Sequence, residues 1–216
     1  MLHYKVFKVN PIEENCYILW DDVSHDGTVI DCGCWNNQEK QRVADFIKQN
    51  NINLKYILQT HMHFDHCIGL DFVCGINGLS PLCHIADIPV YEAAPDMVQK
   101  WFRIDISNLL PKAYATLTEE TELYLGKEQI IVLHTPGHTP GGLCFYAPSA
   151  NAVFTGDTIF RMSIGRTDLP GGNLQQILSS INSKLFTLPP HTVVLPGHGP
   201  ESKIVEELAH NPYLQL

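Results

Sequence analysis

Short hydrophobic runs alternate with polar turns along most of this chain, and many of the runs are β-branched. Two runs near the N-terminus, residues 4–9 and 16–20, flank the turn-forming pair Asn10-Pro11 and predict two strands. A further strand is expected at 28–31, after the turn-forming residues 24–27. The first part of the chain is therefore predicted to be rich in β-structure.

The hydrophobic spacing then becomes helical. Asn36 and Glu39 have the spacing of a capping box, and the apolar residues that follow at helical spacing are Val43, Phe46 and Ile47. This helix leads to a short strand at 54–58. Residues 87–112 predict a helical or irregular segment, broken at Pro95, that covers the core or forms one wall of a cleft.

Strand patterns return in the second half of the chain, at 123–125, 129–133, 142–146, 152–154 and 191–195. An amphipathic helix opened by Asn173 extends to Leu185, and a last short helix carries Ile204, Val205 and Leu208. Strands and helices alternate without a linker or a repeat. We therefore expect a single domain over residues 1–216, of mixed α/β (α+β) class.

Composition and charge narrow the class of protein. The 216 residues are 44% hydrophobic, which suffices for a large core, and the formal net charge is −9. An acidic balance argues against a nucleic-acid or anionic-membrane partner, because both surfaces attract basic proteins. The N-terminus shows no charged segment followed by an apolar one, so we expect a cytoplasmic protein. The oligomeric state is not readable from the sequence.

Seven cysteines occur, and no two Cys-x-x-Cys pairs are present to form a zinc knuckle. We expect reduced and mostly buried thiols rather than a disulfide framework. Cys67 follows a histidine cluster directly and could lie near a metal, but a small buried residue at a helix start is the favoured interpretation.

The strongest chemical signal is Thr60-His61-Met62-His63-Phe64-Asp65-His66, directly after an apolar strand. Imidazole and carboxylate groups are preferred ligands of zinc and of non-haem iron. The alternative is a polar loop in a histidine-rich chain. Three later strand ends repeat the arrangement, each followed by a His or Asp among glycines: Thr135-Pro136-Gly137-His138, Thr155-Gly156-Asp157 and Pro196-Gly197-His198. Loops at strand ends can converge on one site.

These four motifs, in this order and spacing, resemble those of the metallo-β-lactamase-fold hydrolases, in the compact glyoxalase II-like (hydroxyacylglutathione hydrolase-like) branch. The resemblance covers nearly the whole chain. It implies a four-layer αββα sandwich with metals in a cleft at one sheet edge.

The resemblance also implies the roles of individual residues. His61, His63 and His138 would bind a first divalent ion, Asp65, His66 and His198 a second, and Asp157 would bridge the two. The implied cofactor is a pair of zinc ions, with iron or manganese as alternatives. Asp31 would support the histidine loop by hydrogen bonds, unless it is an ordinary turn residue. His84 and His134 are expected to be structural rather than ligating.

The implied reaction is hydrolysis of a small-molecule thioester of the S-lactoylglutathione type by a metal-bridging hydroxide, with Asp65 transferring a proton and Asp157 holding both ions. Arg166 and Arg161 are candidates for binding the substrate, although Arg166 could instead pair with Asp168. Glyoxalase II enzymes typically continue into a helical domain that contacts glutathione, and we expect none within these 216 residues.

Three alternatives stay open. A persulfide dioxygenase binds a single iron and carries a segment like Gly165-Arg166-Thr167-Asp168. A lactonase or other ester hydrolase would use the same ligands. A non-catalytic metal-binding module is disfavoured because every ligand position is present.

Overall fold

The computed structural model describes residues 1–107, 110–111 and 114–214 of the protein. Within these residues, two six-stranded sheets and one two-stranded hairpin are formed. Apolar side chains fill the space between the two sheets, and further apolar clusters join each sheet to helices on its outer face. The architecture is the four-layer αββα sandwich that the family resemblance implies.

The first sheet contains the N-terminal strands in chain order. Its strands are β1 (Leu2–Val9), β2 (Glu14–Asp21), β3 (Asp26–Ile30), β4 (Asn53–Leu58), β5 (Leu82–Cys83) and β6 (Ala115–Thr116). The first three strands are antiparallel, whereas β3 to β6 run parallel. Parallel neighbours require crossover connections, and helices supply the longer ones.

The second sheet is built from the C-terminal half of the chain. In spatial order its strands are β14 (Ser202–Lys203), β13 (Val193–Pro196), β10 (Ala152–Gly156), β9 (Leu143–Ala147), β8 (Glu128–His134) and β7 (Leu123–Leu125). Only β10 and β13 are parallel among these pairs, so their carboxyl ends meet at one edge. The separate hairpin consists of β11 (Ile159–Phe160) and β12 (Ser163–Ile164).

Helices cover the outer faces of the sheets. They are α1 (Asn37–Gln49), α2 (Phe64–Cys67), α3 (Leu70–Asn77), α4 (Ile88–Phe102), α5 (Leu174–Ser180) and α6 (Ile204–His210). The expected capping box of α1 is present, since Asn36 accepts a hydrogen bond from the Glu39 amide and Glu39 reaches back to the Asn36 amide. Among the described residues, no helix has the length and apolar character that a membrane span needs.

Side chains that alternate between the two faces of strand β2 place it between two layers of the sandwich. Tyr17 and Leu19 pack into the core between the two sheets, while Cys16 and Ile18 pack on the opposite side, toward the helices. Successive side chains of a strand point to opposite faces, so a strand that is apolar at every position is buried on both. The run of apolar residues therefore places β2 inside the sandwich.

The expected break at Pro95 is wrong, because α4 continues through it to Phe102. Proline inside a helix removes one hydrogen bond and costs about 3 kcal/mol. Tyr91, Ala94 and Val98 are buried on this helix, and their packing holds it together across the proline. Residues 108, 109 and 112 of the predicted 87–112 segment lie outside the described part of the chain.

Candidate metal centre

Four strand ends bring the predicted ligands to one edge of the sandwich. Strand β4 leads to the 61–66 segment, and strands β8, β10 and β13 lead to the other three residues. The side chains that meet there are those of His61, His63, Asp65, His66, His138, Asp157 and His198. All seven predicted ligands are therefore brought together, although they are spread over 138 positions of the sequence (61 to 198).

The first group consists of three histidines, His61, His63 and His138, whose ligand atoms lie within 4.8 Å of one another. The Nδ1 atom of His63 and the Nε2 atom of His138 are 2.9 Å apart. His61 and His138 are each held in place through the Nδ1 atom. His61 Nδ1 contacts the Thr60 hydroxyl at 3.1 Å, and His138 Nδ1 contacts the Arg166 carbonyl at 2.8 Å. The remaining nitrogens are thereby turned inward.

The second group combines an acid with two histidines, Asp65, His66 and His198, also within 4.8 Å. Asp65 Oδ2 lies 3.2 Å from His198 Nε2 and 3.5 Å from His66 Nε2. The outward nitrogen of His198 donates to the Ile12 carbonyl at 3.1 Å. A carboxylate and two imidazole nitrogens thus face a common point.

Asp157 lies between the two groups. Its Oδ2 atom is 3.6 Å from His138 Nε2, while its Oδ1 atom is 3.5 Å from His66 Nε2 and 3.9 Å from His198 Nε2. Each carboxylate oxygen therefore faces a different group. This close approach depends on small neighbours, because a Cβ on Gly197 would collide with Asp157 Oδ1.

Charge differs between the groups. Burial is the main cause that lowers the pKa of His61 and of His63, the latter to about 4, and neighbouring imidazoles add to it. These two rings are therefore neutral at pH 7, which is the form that binds a cation.

Carboxylates dominate around the second group. Burial opposes protonation of His66 and His198. The neighbouring carboxylates of Asp65 and Asp157 outweigh burial and raise the pKa of both histidines. At His66, Asp31 adds to this rise. Burial likewise opposes ionisation of Asp65 and Asp157, but the surrounding histidines lower the pKa of both acids. Both carboxylates are ionised near neutral pH.

Several buried polar atoms at this edge have no hydrogen-bond partner among the described residues. They are His61 Nε2, His66 Nε2 and Asp157 Oδ1. Such atoms normally find a partner when buried, because leaving one without costs about 1–3 kcal/mol. A cation in each group would satisfy them. The donor set of imidazole nitrogens and carboxylate oxygens therefore suits a dinuclear metal centre.

Asp31 supports this centre from behind. Its carboxylate accepts hydrogen bonds from the Thr60 amide at 2.7 Å and the Thr60 hydroxyl at 2.6 Å, and it lies 2.9 Å from His66 Nδ1. Asp31 itself has a φ of 51°, which is uncommon for a residue with a side chain. Asp31 follows the last residue of β3 directly. The hydrogen bonds to the histidine loop that the resemblance implies for Asp31 are formed.

Sequence reasoning missed a second buried acid, Asp87. Its carboxylate accepts hydrogen bonds from the Met62 amide, the Thr139 hydroxyl and the Gly141 amide at 3.1, 2.9 and 2.6 Å. It therefore connects the loops that carry His61 and His138. The local sequence contains no motif around Asp87, so only the fold could reveal this role.

The other predicted residues have more ordinary surroundings. Arg166 forms a two-pronged ion pair with Asp168, at 2.7 and 2.8 Å, and Arg161 lies exposed in the turn of the β11–β12 hairpin. His84 and His134 stack on each other with ring centroids 4.2 Å apart, in keeping with a structural role. Cys67 is buried, as the favoured interpretation expected, but it is the last residue of α2 and does not lie at a helix start.

A cavity of about 500 Å³ opens beside the first group. His63 lies on its wall, together with residues of α4 and of the loop at 169–171. Its apolar lining includes Val90, Met97 and Trp101, and Asp96 and Lys100 are its charged residues. Helix α4 thus forms one wall of a cleft, as the sequence predicted.

The comparisons with known proteins agree with this architecture. The family model of the metallo-β-lactamase superfamily matches residues 9–198. The chain belongs to this superfamily, a family of metallo-hydrolases of the metallo-β-lactamase fold.

Relatives of similar length are also found. The chain is 35% identical over 224 residues to a probable metallo-hydrolase, YqgX, of Bacillus subtilis, with 99% of this chain and 98% of that protein covered. It is 32% identical over 218 residues to a hydroxyacylglutathione hydrolase, GloC, of Haemophilus influenzae, with the same coverage. Among solved structures, TTHA1623 in a di-iron-bound form matches with a TM-score of 0.84 and 33% identity, over 97% of this chain and 100% of that one.

Proposed function

We propose that the protein is a dinuclear metal-dependent thioesterase of the glyoxalase II type, acting on a small-molecule thioester. The observation that carries the proposal is the placement of Asp157, whose two oxygens face the two ligand groups separately. A bridging carboxylate reduces the repulsion between two cations in one cleft. Bound there, two divalent ions would lower the pKa of a water molecule and polarise the substrate carbonyl.

A carboxylate of the chain would transfer the proton of the attacking water. Asp65 is ionised near neutral pH because the neighbouring histidines lower its pKa, and its Oδ2 lies at the centre of the second group. We assign Asp65 the role of accepting the proton from the attacking water and returning it to the leaving group. A carboxylate can transfer a proton in this way when it lies within hydrogen-bond distance of the water and of the leaving group.

The cavity beside His63 would hold the body of the substrate. Its apolar wall excludes water from one side of the cleft, while Lys100 offers one positive charge at its edge for an anionic substrate group. The relative GloC is named for a thioester substrate, which supports this class over esters in general. The free cysteines also suit a reducing compartment such as the cytoplasm.

Metal quantification and thioester hydrolysis, measured together on wild type and Asp157→Ala, test the proposal. Wild-type protein purified with a controlled supply of zinc, iron or manganese should hold two metal ions per chain and cleave S-lactoylglutathione or a simpler thioester. Asp157→Ala should lose at least one ion and about 10³-fold in kcat/KM. Asp71→Ala, which removes an exposed acid on α3, is the matched control and should change neither quantity. Retention of both ions and full turnover by Asp157→Ala would overturn the proposed bridge.

The same preparation tests the persulfide dioxygenase alternative. The di-iron form of TTHA1623 makes iron a serious candidate metal for this fold. One iron per chain, with oxygen uptake on glutathione persulfide and no thioester cleavage, would favour the dioxygenase. Two ions with thioester cleavage and no oxygen uptake support the hydrolase.

A further inference from the structure

Three cysteines that are distant in sequence meet behind the Asp31 loop. Cys16 lies on β2, while Cys32 and Cys34 flank Gly33 in the segment after β3. Their sulfur atoms all lie within 4.8 Å of one another, and each side chain is 0% exposed. A strand and a loop thus direct three thiols to one point, which the absence of Cys-x-x-Cys pairs gave no reason to expect.

Burial alone does not account for this arrangement. Cysteine often behaves as a small apolar residue in protein cores. Cys67, Cys83 and Cys144 are equally buried, at 0% exposure, yet none belongs to a cluster of three candidate ligands within the described residues. The core therefore accommodates cysteines singly elsewhere, and brings three together only here.

The fold also orients one of the three thiols. Cys32 Sγ donates a hydrogen bond to the Gly69 carbonyl at 3.4 Å. A bound cation would replace the S–H bond by a sulfur–metal bond, because the thiolate is the form that binds metals.

A buried carboxylate whose oxygens have no hydrogen-bond partner among the described residues lies beside the cluster. Glu14 carries this carboxylate and is 0% exposed. It precedes Cys16 by two positions on β2, and a Cβ on Gly33 would collide with its Oε2 atom. Its Oε1 atom is 3.9 Å from His66 Nδ1. Glu14 thus lies between the thiols and the histidine centre, and cations bound by the histidines would favour its charged form.

We propose that Cys16, Cys32 and Cys34 form a second metal site, separate from the histidine centre, that binds one soft cation through three thiolates. An all-sulfur donor set selects a thiophilic ion such as cuprous copper, because hard cations need oxygen ligands. Structural zinc almost always takes four protein ligands, and no fourth ligand joins this group among the described residues. A three-coordinate cuprous ion fits the donors that are present.

Binding at this site would connect β2 to the loop after β3. The thiol protons of all three cysteines would leave to solvent as sulfur–metal bonds form, and no electron is transferred. Asp31, which contacts His66 and Thr60, directly precedes Cys32. The occupied site would therefore brace the residue that supports the histidine centre, and a ligand of the native state raises its stability.

Copper titration of the intact protein tests the proposal. The histidine centre is first filled with zinc, and the reduced protein is then titrated with cuprous ion, without oxygen, against a competing chelator. We expect one copper per chain, an X-ray absorption spectrum with three sulfur neighbours only, and a higher melting temperature. Cys34→Ala should lose at least about 100-fold in copper affinity, since even indirect supports of metal ligands are worth 10–100-fold.

Cys83→Ala is the matched control, because it removes an equally buried thiol outside the cluster. It should bind copper as wild type does. Equal binding by Cys34→Ala, nitrogen or oxygen neighbours in the spectrum, no copper uptake beyond the chelator, or a preference for zinc in four-coordination would each overturn the proposal. The sulfur count is made on wild-type protein, so it decides the question even where a variant fails to fold.

Discussion

His61, His63 and His138 form a group without a carboxylate of its own, whereas Asp65 lies between the histidines of the second group. The two groups offer the same number of ligands within the same distance, and their electrostatics differ in sign. Burial lowers the pKa values of His61 and His63 in the first group, and carboxylates raise those of His66 and His198 in the second. Similar geometry thus gives two sites that respond differently to protons.

Exposure differs as well. The His61 side chain is buried among the rings of His63, His66 and His138, with centroids 4.1 to 4.8 Å away. The His198 side chain is 26% exposed at the rim. The first group is thus enclosed by rings and faces the cavity beside His63, whereas His198 leaves the second group partly open to bulk solvent.

Removing one ligand from each group should give the largest effects and separate their roles. His61→Ala should lose the first ion, because His61 is one of its three ligands. The His61 ring also packs against His66 of the second group, so kcat/KM should fall by about 10³-fold or more. His198→Ala should lose only the second ion, with a smaller decrease of about 10–100-fold. Metal content and thioester kinetics measure both. Equal losses in the two variants would contradict the distinction.

Weakening the support behind His66 should have the next largest effect. Asp31→Asn replaces one acceptor oxygen by an NH₂ group, which cannot accept a hydrogen bond. Either the Thr60 amide, or the Thr60 hydroxyl together with His66, then loses its acceptor. We expect the second ion to bind about 10–100-fold more weakly and the first to be little changed. Asp45→Asn, at a half-buried position of α1 outside the metal centre, serves as the control in metal titrations. Wild-type affinity in Asp31→Asn would show that the contact is not needed for metal binding.

Acidification should remove the two ions in a fixed order. A protonated imidazole cannot bind a cation, and the His66 and His198 pKa values lie above the usual 6.5, so affinity in the second group falls as pH drops through that range. His63, with a pKa near 4, stays neutral to lower pH. Dialysis at stepwise pH followed by metal analysis should show one ion per chain between about pH 6.5 and 4. Simultaneous loss would mean that the groups are not independent.

The smallest effect is expected at Arg166. Its backbone carbonyl anchors His138, while its side chain pairs with Asp168 at the surface. Arg166→Ala keeps the carbonyl, and exposed ion pairs contribute little, so KM and kcat should change by less than about threefold. A large rise in KM with unchanged kcat would instead assign Arg166 to substrate binding.

The strand ends and the 61–66 cluster could be predicted because they rest on local signals. Apolar β-branched runs specify the strands, and a His or Asp after each run marks the edge where they end. The same reasoning failed at Pro95, where local preference was outweighed by the burial of Tyr91, Ala94 and Val98. It also missed Asp87, because hydrogen bonds to Met62 and Gly141 leave no trace in the nearby sequence.

Local sequence was enough to predict most of the strands along the chain, the types of metal ligand and their positions at strand ends, because these follow from side-chain chemistry and short-range periodicity. The charges that surround each histidine emerge only from the fold, since burial and neighbouring carboxylates are supplied by segments far apart in the chain. The fold also decided that Cys16 meets Cys32 and Cys34. Strand pairing places β2 beside β3, and no spacing rule within the sequence carries that information.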